Sequence, residues 1–152
     1  MYVMSHWQTN TIPQKSSWGA SRKLQLIHSD VCGPISPSSH SNKRYILSFV
    51  DDYSHKTWVY FLHAKFETFS AFKSFKARVE KEAHATITCL RTDRGGEFTS
   101  EEFANYCNHH RISRQLTTTY TPQQNGVAER KNHTILNAVR AVLHEKGVPK
   151  SF

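Results

Sequence analysis

The stretch that decides the fold begins with TDRGGEF (92–98) and ends with TPQQNGVAERKN (121–132). It contains two carboxylates, Asp93 and Glu129, with 35 residues between them. Upstream, the string LIHSDVCGP places a third carboxylate, Asp30, after an apolar run and before a Gly-Pro break. Hard oxygen ligands suit two divalent ions about 4 Å apart, an arrangement that clamps the attacking and leaving oxygens in phosphoryl transfer. The three acids therefore predict a metal site.

Hydrophobic periodicity predicts a sheet flanked by helices. Alternating, β-branched or continuous apolar runs predict strands at residues 24–31, 44–52, 57–63, 87–93 and 111–116. Apolar residues at steps of three and four predict helices along the stripe from Phe66 to Ala83, after a Thr99–Glu102 capping box, and from Val127 to Lys146. The first three strands are expected to form an antiparallel meander, and the phenylalanines of the stripe are expected to pack on the sheet.

Together with FVDDYSHKTWVYFL (49–62), the three motif strings resemble the catalytic core of retroviral and retrotransposon integrases, and they are most similar to the Ty1/copia branch of Pol polyproteins. The resemblance implies an α/β, ribonuclease H-like fold with a five-stranded mixed sheet flanked by helices. In that fold the first and fourth strands are parallel neighbours, which would set Asp30 and Asp93 side by side near their carboxyl ends. The last helix would bring Glu129 over the same edge.

The chain is interpreted as a polar lead-in followed by one core. Residues 1–22 are assigned to the remnant of a linker after a missing zinc domain, because no cysteine precedes Cys32 and His6 alone cannot build a tetrahedral site. Residues 23–152 are assigned to the integrase catalytic core. The resemblance predicts that this core is truncated at its C-terminus, where the family continues into another helix, and no zinc is expected.

The resemblance also implies the chemistry. Asp30, Asp93 and Glu129 are predicted to be catalytic and to hold two Mg²⁺ or Mn²⁺ ions. A chain of this kind would be a polynucleotidyl transferase and endonuclease. It would trim the 3′ ends of retrotransposon DNA and then join them to target DNA, so DNA integration is the predicted function. No covalent enzyme intermediate is required.

Basic and amide side chains predict contacts with DNA. The formal net charge is +8 and the sequence pI is about 9.6, which favours an anionic partner. The DNA contacts predicted around the carboxylates are Arg94, Gln124, Asn125, Arg130, Lys131, Asn132 and His133. Further phosphate-facing charge is expected from Arg22, Lys23, Lys43, Arg44, Arg91, Arg111, Arg114 and Arg140.

Other acids and histidines have simpler interpretations than metal binding. Asp51 and Asp52 are interpreted as turn residues, about eight residues of strand away from the Asp30 end. Glu97 and its neighbours in the next helix are interpreted as N-terminal charges favoured by the helix dipole. Adjacent His109 and His110 point about 100° apart on a helix, which disfavours a shared metal ion.

Two alternatives stay open on the sequence alone. One is a nuclease of the same fold that cleaves RNA–DNA hybrids, and the other is a catalytically silent, truncated DNA-binding or assembly remnant. The expected partners are retrotransposon ends, target DNA and further copies of the chain, since a sheet that lacks a covering helix exposes apolar surface. No membrane partner is expected, because no apolar run reaches about 18 residues. A nuclear location follows from the family role.

Overall fold

A computed structural model describes residues 2–4, 19–35, 42–117, 130, 133, 134 and 137. The strands within them are β1 Tyr2–Met4, β2 Leu26–Cys32, β3 Tyr45–Asp51, β4 Thr57–Leu62, β5 Cys89–Thr92 and β6 Ser113–Leu116. The helices are α1 Thr68–Ala83, α2 Gly96–Thr99 and α3 Glu101–His109, and a 3₁₀ turn, Lys65–Glu67, precedes α1.

All six strands belong to one mixed sheet, in the order β1-β4-β3-β2-β5-β6. β2, β3 and β4 form the predicted antiparallel meander, and β5 pairs parallel with β2 and with β6. The five predicted strands and their mixed arrangement are therefore confirmed. The sixth strand, β1, pairs antiparallel with β4 and lies within the segment interpreted as a lead-in. Three residues are too few for alternation to be visible in a sequence.

The main core lies between one face of the sheet and helices α1 and α3. The ring of Phe49 on β3 stacks on Phe75 of α1, with centroids 4.1 Å apart. Phe72 of α1 stacks in turn on Phe103 of α3 at 5.2 Å. All four rings are fully buried, so the predicted packing of the phenylalanine stripe is confirmed for its central members.

Phe66 was predicted to pack on the sheet with the other phenylalanines of the stripe, but its side chain is 84% exposed. It lies in the 3₁₀ turn, and α1 begins only at Thr68. A 3₁₀ turn has three residues per turn instead of 3.6, so the ring leaves the inward face that the helical spacing predicts.

Helix α3 begins one residue later than the predicted capping box implies. The predicted capping box began at Thr99, but Ser100 is the N-cap, and its hydroxyl accepts a hydrogen bond from the Phe103 N–H at 3.2 Å. Thr99 instead ends α2 and donates its hydroxyl to the Gly95 carbonyl. Two consecutive helical segments share this stretch, and the second needs an extended residue between them, which Ser100 supplies.

Most of the predicted last helix, Val127–Lys146, lies outside the described residues. Within that helix Arg130, His133, Thr134 and Asn137 are described, and all four are helical. The Thr134 hydroxyl donates to the Arg130 carbonyl at 3.0 Å. Among the described helices, none has the length and apolar character needed to cross a membrane.

Candidate active site

Asp30 and Asp93 lie opposite each other at the carboxyl ends of β2 and β5. The two strands pair in parallel with Ile27 opposite Leu90 and His28 opposite Arg91. The same offset, continued by two residues, sets Asp30 opposite Asp93. Neighbouring strands are about 4.8 Å apart, and opposed residues project to the same face. Both aspartates are partly exposed, so the edge that brings them together is open to solvent.

The turn after β5 fixes the orientation of Asp93. The Gly95 N–H donates to Asp93 Oδ1 at 2.9 Å. A methyl group placed on Gly95 would lie 2.9 Å from that same oxygen and 2.8 Å from Glu97 Oε1. A glycine is therefore required between the two carboxylates, because any larger residue would displace one of them.

Glu97 is a carboxylate whose position the sequence interpretation missed. It lies in the first turn of α2, as its interpretation as a helix N-terminal charge predicts. Its carboxylate, however, also lies beside that of Asp93. The signal in the sequence is the four-residue spacing across two glycines, which folds the chain back on itself.

The donor set at this edge fits a hard divalent cation. Two adjacent, solvent-accessible carboxylates, with Glu97 beside one of them, offer the oxygen ligands that Mg²⁺ and Mn²⁺ prefer. Within the described ranges, no three His, Cys, Asp or Glu side chains converge closely enough to hold one ion. Glu129, the predicted third ligand, lies outside these ranges.

The predicted DNA contacts are only partly within the described chain. Arg94 follows Asp93 directly and is exposed, and Arg130 and His133 are exposed in the last helix. The predicted contacts that lie outside the described residues are Gln124, Asn125, Lys131 and Asn132.

Arg91 and Arg114 are not phosphate-facing, contrary to prediction. Arg91 is only 7% exposed, and its Nε donates to Gln115 Oε1 at 2.8 Å. Arg114 donates to the Phe98 carbonyl, and its guanidinium lies 4.9 Å from the centre of the Phe103 ring. Burial lowers the pKa of both guanidinium groups. Arg91 is buried and Arg114 half-buried, and the guanidinium groups of both make contacts within the fold.

Strand directions separate the other basic residues into two edges. Arg22 and Lys23 precede β2, and Arg111 precedes β6, so these three lie at the edge where the parallel strands begin. Lys43 and Arg44 precede β3, which runs antiparallel to β2 and begins beside its end. These two therefore share an edge with Asp30.

Asp52 is a turn residue, as predicted, whereas Asp51 is the last residue of β3 and its side chain is bonded to the turn. Asp51 is buried, accepts the Leu24 N–H at 3.1 Å and accepts the Ser54 hydroxyl at 2.7 Å. The predicted distance from Asp30 was wrong, because Asp51 pairs with Ile27. Along the strand direction, Asp51 and Asp30 are therefore three residues apart, which is about 10 Å. Other hydrogen bonds occupy Asp51, so it remains a structural residue.

A buried histidine ties the Asp51–Asp52 turn to β2. His28 Nε2 lies 2.8 Å from Asp52 Oδ1, and Asp52 Oδ2 accepts the Ala20 N–H at 2.9 Å. Burial lowers the pKa of His28, and the hydrogen bond from His28 lowers the pKa of Asp52. His28 is two residues before Asp30, and on a strand such residues share a face. The sequence interpretation missed this pair, since the two residues are far apart in the chain.

His109 and His110 lie next to each other at the end of α3, and both are exposed. Their ring centroids are 5.1 Å apart with an interplanar angle of 87°. His110 also lies against the Tyr106 ring, at 4.3 Å. The rings pack edge to face rather than converging on one point, which agrees with the structural interpretation of the pair.

Comparisons with known proteins identify the family and the fold of this chain. The family model described as "Integrase core domain" matches residues 20–122. A retrovirus-related Pol polyprotein from transposon TNT 1-94 of Nicotiana tabacum is 47% identical over 129 residues, which are 85% of this chain and 10% of the relative. The chain thus spans about a tenth of that polyprotein.

Solved structures are similar in fold at lower identity. A simian T-cell lymphotropic virus intasome, in complex with a PP2A regulatory subunit, contains a chain with a TM-score of 0.63 and 18% identity, over 84% of this chain and 45% of that one. The HTLV-2 integrase catalytic core domain, solved with magnesium in a trimeric form, gives a TM-score of 0.58 and 20% identity, over 80% of this chain and 73% of that one.

Proposed function

Since the chain belongs to the integrase core domain family, we propose that it is the catalytic core of a retrotransposon integrase and that it acts in DNA integration. The reaction would be phosphodiester cleavage at the 3′ ends of the element's DNA, followed by strand transfer into target DNA. The observation that carries this proposal is the register of β2 and β5, which sets Asp30 opposite Asp93 at a solvent-exposed edge.

The proposed metal ligands are Asp30, Asp93 and Glu129, for two Mg²⁺ or Mn²⁺ ions. Bound divalent ions would supply an activated water or 3′ hydroxyl and would neutralise charge on the leaving oxygen. The chain's own contribution is orientation. The Gly95 N–H holds Asp93, and Asp30 is held by its pairing with Ser48 of β3. Rigid strands position ligands more accurately than loops do.

The substrate would be held by positive charge on the same edge. Lys43, Arg44 and Arg94 lie there, and their charges would contact phosphates on either side of the carboxylate pair. Such contacts give binding that weakens with salt and depends little on sequence. Gln124, Asn125, Lys131 and Asn132, with Arg130 and His133, complete the proposed contact surface.

The remaining predictions belong to the same proposal. Residues 23–152 would form the core and residues 1–22 the lead-in. The partners would be DNA and other copies of the chain, and the working location would be the nucleus. The family role motivates these assignments.

The test is a Mn²⁺-dependent nicking and strand-transfer assay on a duplex with the purified chain. Asp93→Asn and Glu129→Gln are expected to abolish both reactions and to leave salt-sensitive DNA binding intact. Glu101→Gln is the matched control, because Glu101 is an exposed acid in α3. Unchanged nicking by Asp93→Asn would overturn the proposal. Preferential cleavage of an RNA–DNA hybrid would favour the nuclease alternative, and binding without any cleavage would favour the silent remnant.

A further inference from the structure

An exposed aromatic ring lies among basic residues beyond the end of β4. Phe66 is 84% exposed, and its neighbour Lys65 is exposed as well. His63, which directly follows β4, is also exposed. An exposed ring of this size is able to contact a partner, and the basic residues around it decide what kind of partner fits.

Strand pairing locates this ring on the edge that carries Asp30. Asp30 pairs with Ser48, and Ser48 pairs with Val59, so β4 runs on for three residues past that row to Leu62. Two strand spacings and three residues of rise separate the Cα atoms of Asp30 and Leu62 by about 14 Å. The 3₁₀ turn with Phe66 lies just beyond.

Arg44 belongs to the same neighbourhood. Its backbone N–H donates to the Leu62 carbonyl at 2.9 Å, and its side chain is exposed. The Lys65 ammonium lies 5.9 Å from the centre of the Tyr45 ring. We define the aromatic-basic patch as Arg44, His63, Lys65 and Phe66.

The patch has a positive balance of charge. Glu67, the acid next to Phe66 in the chain, has a carboxylate that accepts the His63 backbone N–H at 3.2 Å. Arg44 and Lys65 carry full positive charges at neutral pH. A polyanion with a flat apolar group fits such a surface better than a purely apolar protein surface does.

We propose that the aromatic-basic patch binds unpaired nucleotides of a DNA strand whose neighbouring phosphodiester lies at Asp30 and Asp93. The ring of Phe66 would stack on one base, and Arg44 and Lys65 would contact phosphates. Only an unpaired or terminal base exposes a face for such stacking. The placement of the strand rests on the proposed function, whereas binding at the patch does not.

The experiment compares two DNA probes by fluorescence anisotropy, a blunt duplex and the same duplex with a five-nucleotide unpaired overhang. Phe66→Ala is expected to weaken overhang binding by about fivefold to 150-fold, which is about 1–3 kcal/mol at 1.4 kcal/mol per tenfold. Blunt-duplex binding is expected to change by less than about twofold. Lys65→Ala should weaken both probes and reduce the salt dependence.

Tyr53→Ala is the matched control. Tyr53 is the other large exposed hydrophobic side chain among the described residues, and it lies in the turn at the opposite edge of the sheet. Its replacement should change neither affinity. Equal affinity of wild type and Phe66→Ala for the overhang probe would overturn the proposal, as would equal losses on both probes. Thermal unfolding of each variant would confirm that the fold is kept.

Binding and chemistry are read separately in this design. Loss of overhang binding in Phe66→Ala, in a protein that never nicks DNA, would support the patch and contradict the proposed function. If the wild type nicks DNA but Phe66→Ala binds the overhang as well as wild type does, the proposed function is supported and the role of the patch is contradicted.

Discussion

Replacement of Gly95 by alanine should displace the carboxylate of Asp93 while leaving the fold largely intact. Gly95 has φ −59° and ψ 148°, values that alanine adopts without strain. The new methyl group would, however, lie 2.9 Å from Asp93 Oδ1 and 2.8 Å from Glu97 Oε1. The end of the flexible Glu97 side chain can swing away. Asp93 has a short side chain that the Gly95 N–H holds in place, so its carboxylate has to rotate.

The size of the effect follows from that contact. Asp93 Oδ1 must retreat by about 0.5 Å to reach an ordinary contact distance, which is the tolerance within which a functional group keeps its geometry. An off-rotamer side chain costs about 0.5–1.5 kcal/mol and a lost hydrogen bond about 1 kcal/mol. Reduced freedom of the unfolded chain returns about 0.4–1 kcal/mol. The free energy of unfolding should therefore fall by only about 1 kcal/mol, while Mn²⁺ affinity falls tenfold or more.

Calorimetric titration with Mn²⁺ would measure the loss of affinity, and thermal unfolding of the same preparations would measure the change in stability. Gly96→Ala is the control, because no atom lies within 4 Å of its added methyl group and the position opens α2. That variant should bind Mn²⁺ like wild type and gain up to about 1 kcal/mol of stability. Equal Mn²⁺ affinity in wild type and Gly95→Ala would refute the assigned role of Asp93.

Three further predictions concern the scaffold. Ser100→Ala should lower the free energy of unfolding by about 1 kcal/mol in urea titrations, because it removes the N-cap of α3, whereas Thr99→Ala should change it by less. Phe72→Ala should cost about 3–5 kcal/mol in the same assay, since the buried ring leaves a cavity, and Phe66→Ala should cost under about 0.5 kcal/mol. Burial raises the pKa of the Cys107 thiol to about 11. The neutral thiol therefore contributes its full share to the free energy of unfolding below pH 9, and this share is lost as the pH rises towards 11. Between pH 9 and pH 11 the free energy of unfolding should fall more in wild type than in Cys107→Ser. Equal decreases in the two proteins would contradict this prediction.

Much of the fold was predictable because it depends on local patterns. The alternation in β2, the apolar run of β3 and the helical spacing of α1 are each written within a few residues of sequence. The exposure of Phe66 could not be predicted from this spacing, because the face that a helical residue occupies depends on where the first turn of the helix begins. Ser100 escaped it because two helical segments, and not one, occupy the stretch.

The neighbouring positions of Asp30 and Asp93 could be predicted from the sequence, whereas the positions of Glu97 and of several basic residues could not. Asp30 lies near the end of β2 and Asp93 directly follows β5, and the pairing of these two strands follows from the fold. Arg44 and Arg91 look alike in the sequence, yet one is exposed at the carboxylate edge and the other is buried against Gln115. Which edge a charge occupies depends on strand direction, and whether it meets solvent depends on the layer packed against it. Neither property is local.

The pairing of β2 with β5 has a consequence for how the protein is made. Leu26 and Cys89 are adjacent in the sheet but 63 positions apart in the chain, and closing such a loop costs about 4 kcal/mol in chain entropy. The hairpins of the meander close much shorter loops and should form earlier during folding. A chain still emerging from the ribosome would hold Asp30 on a nearly complete meander with no Asp93 beside it. The two aspartates would thus come together only after the residues up to the end of β5 have been synthesised.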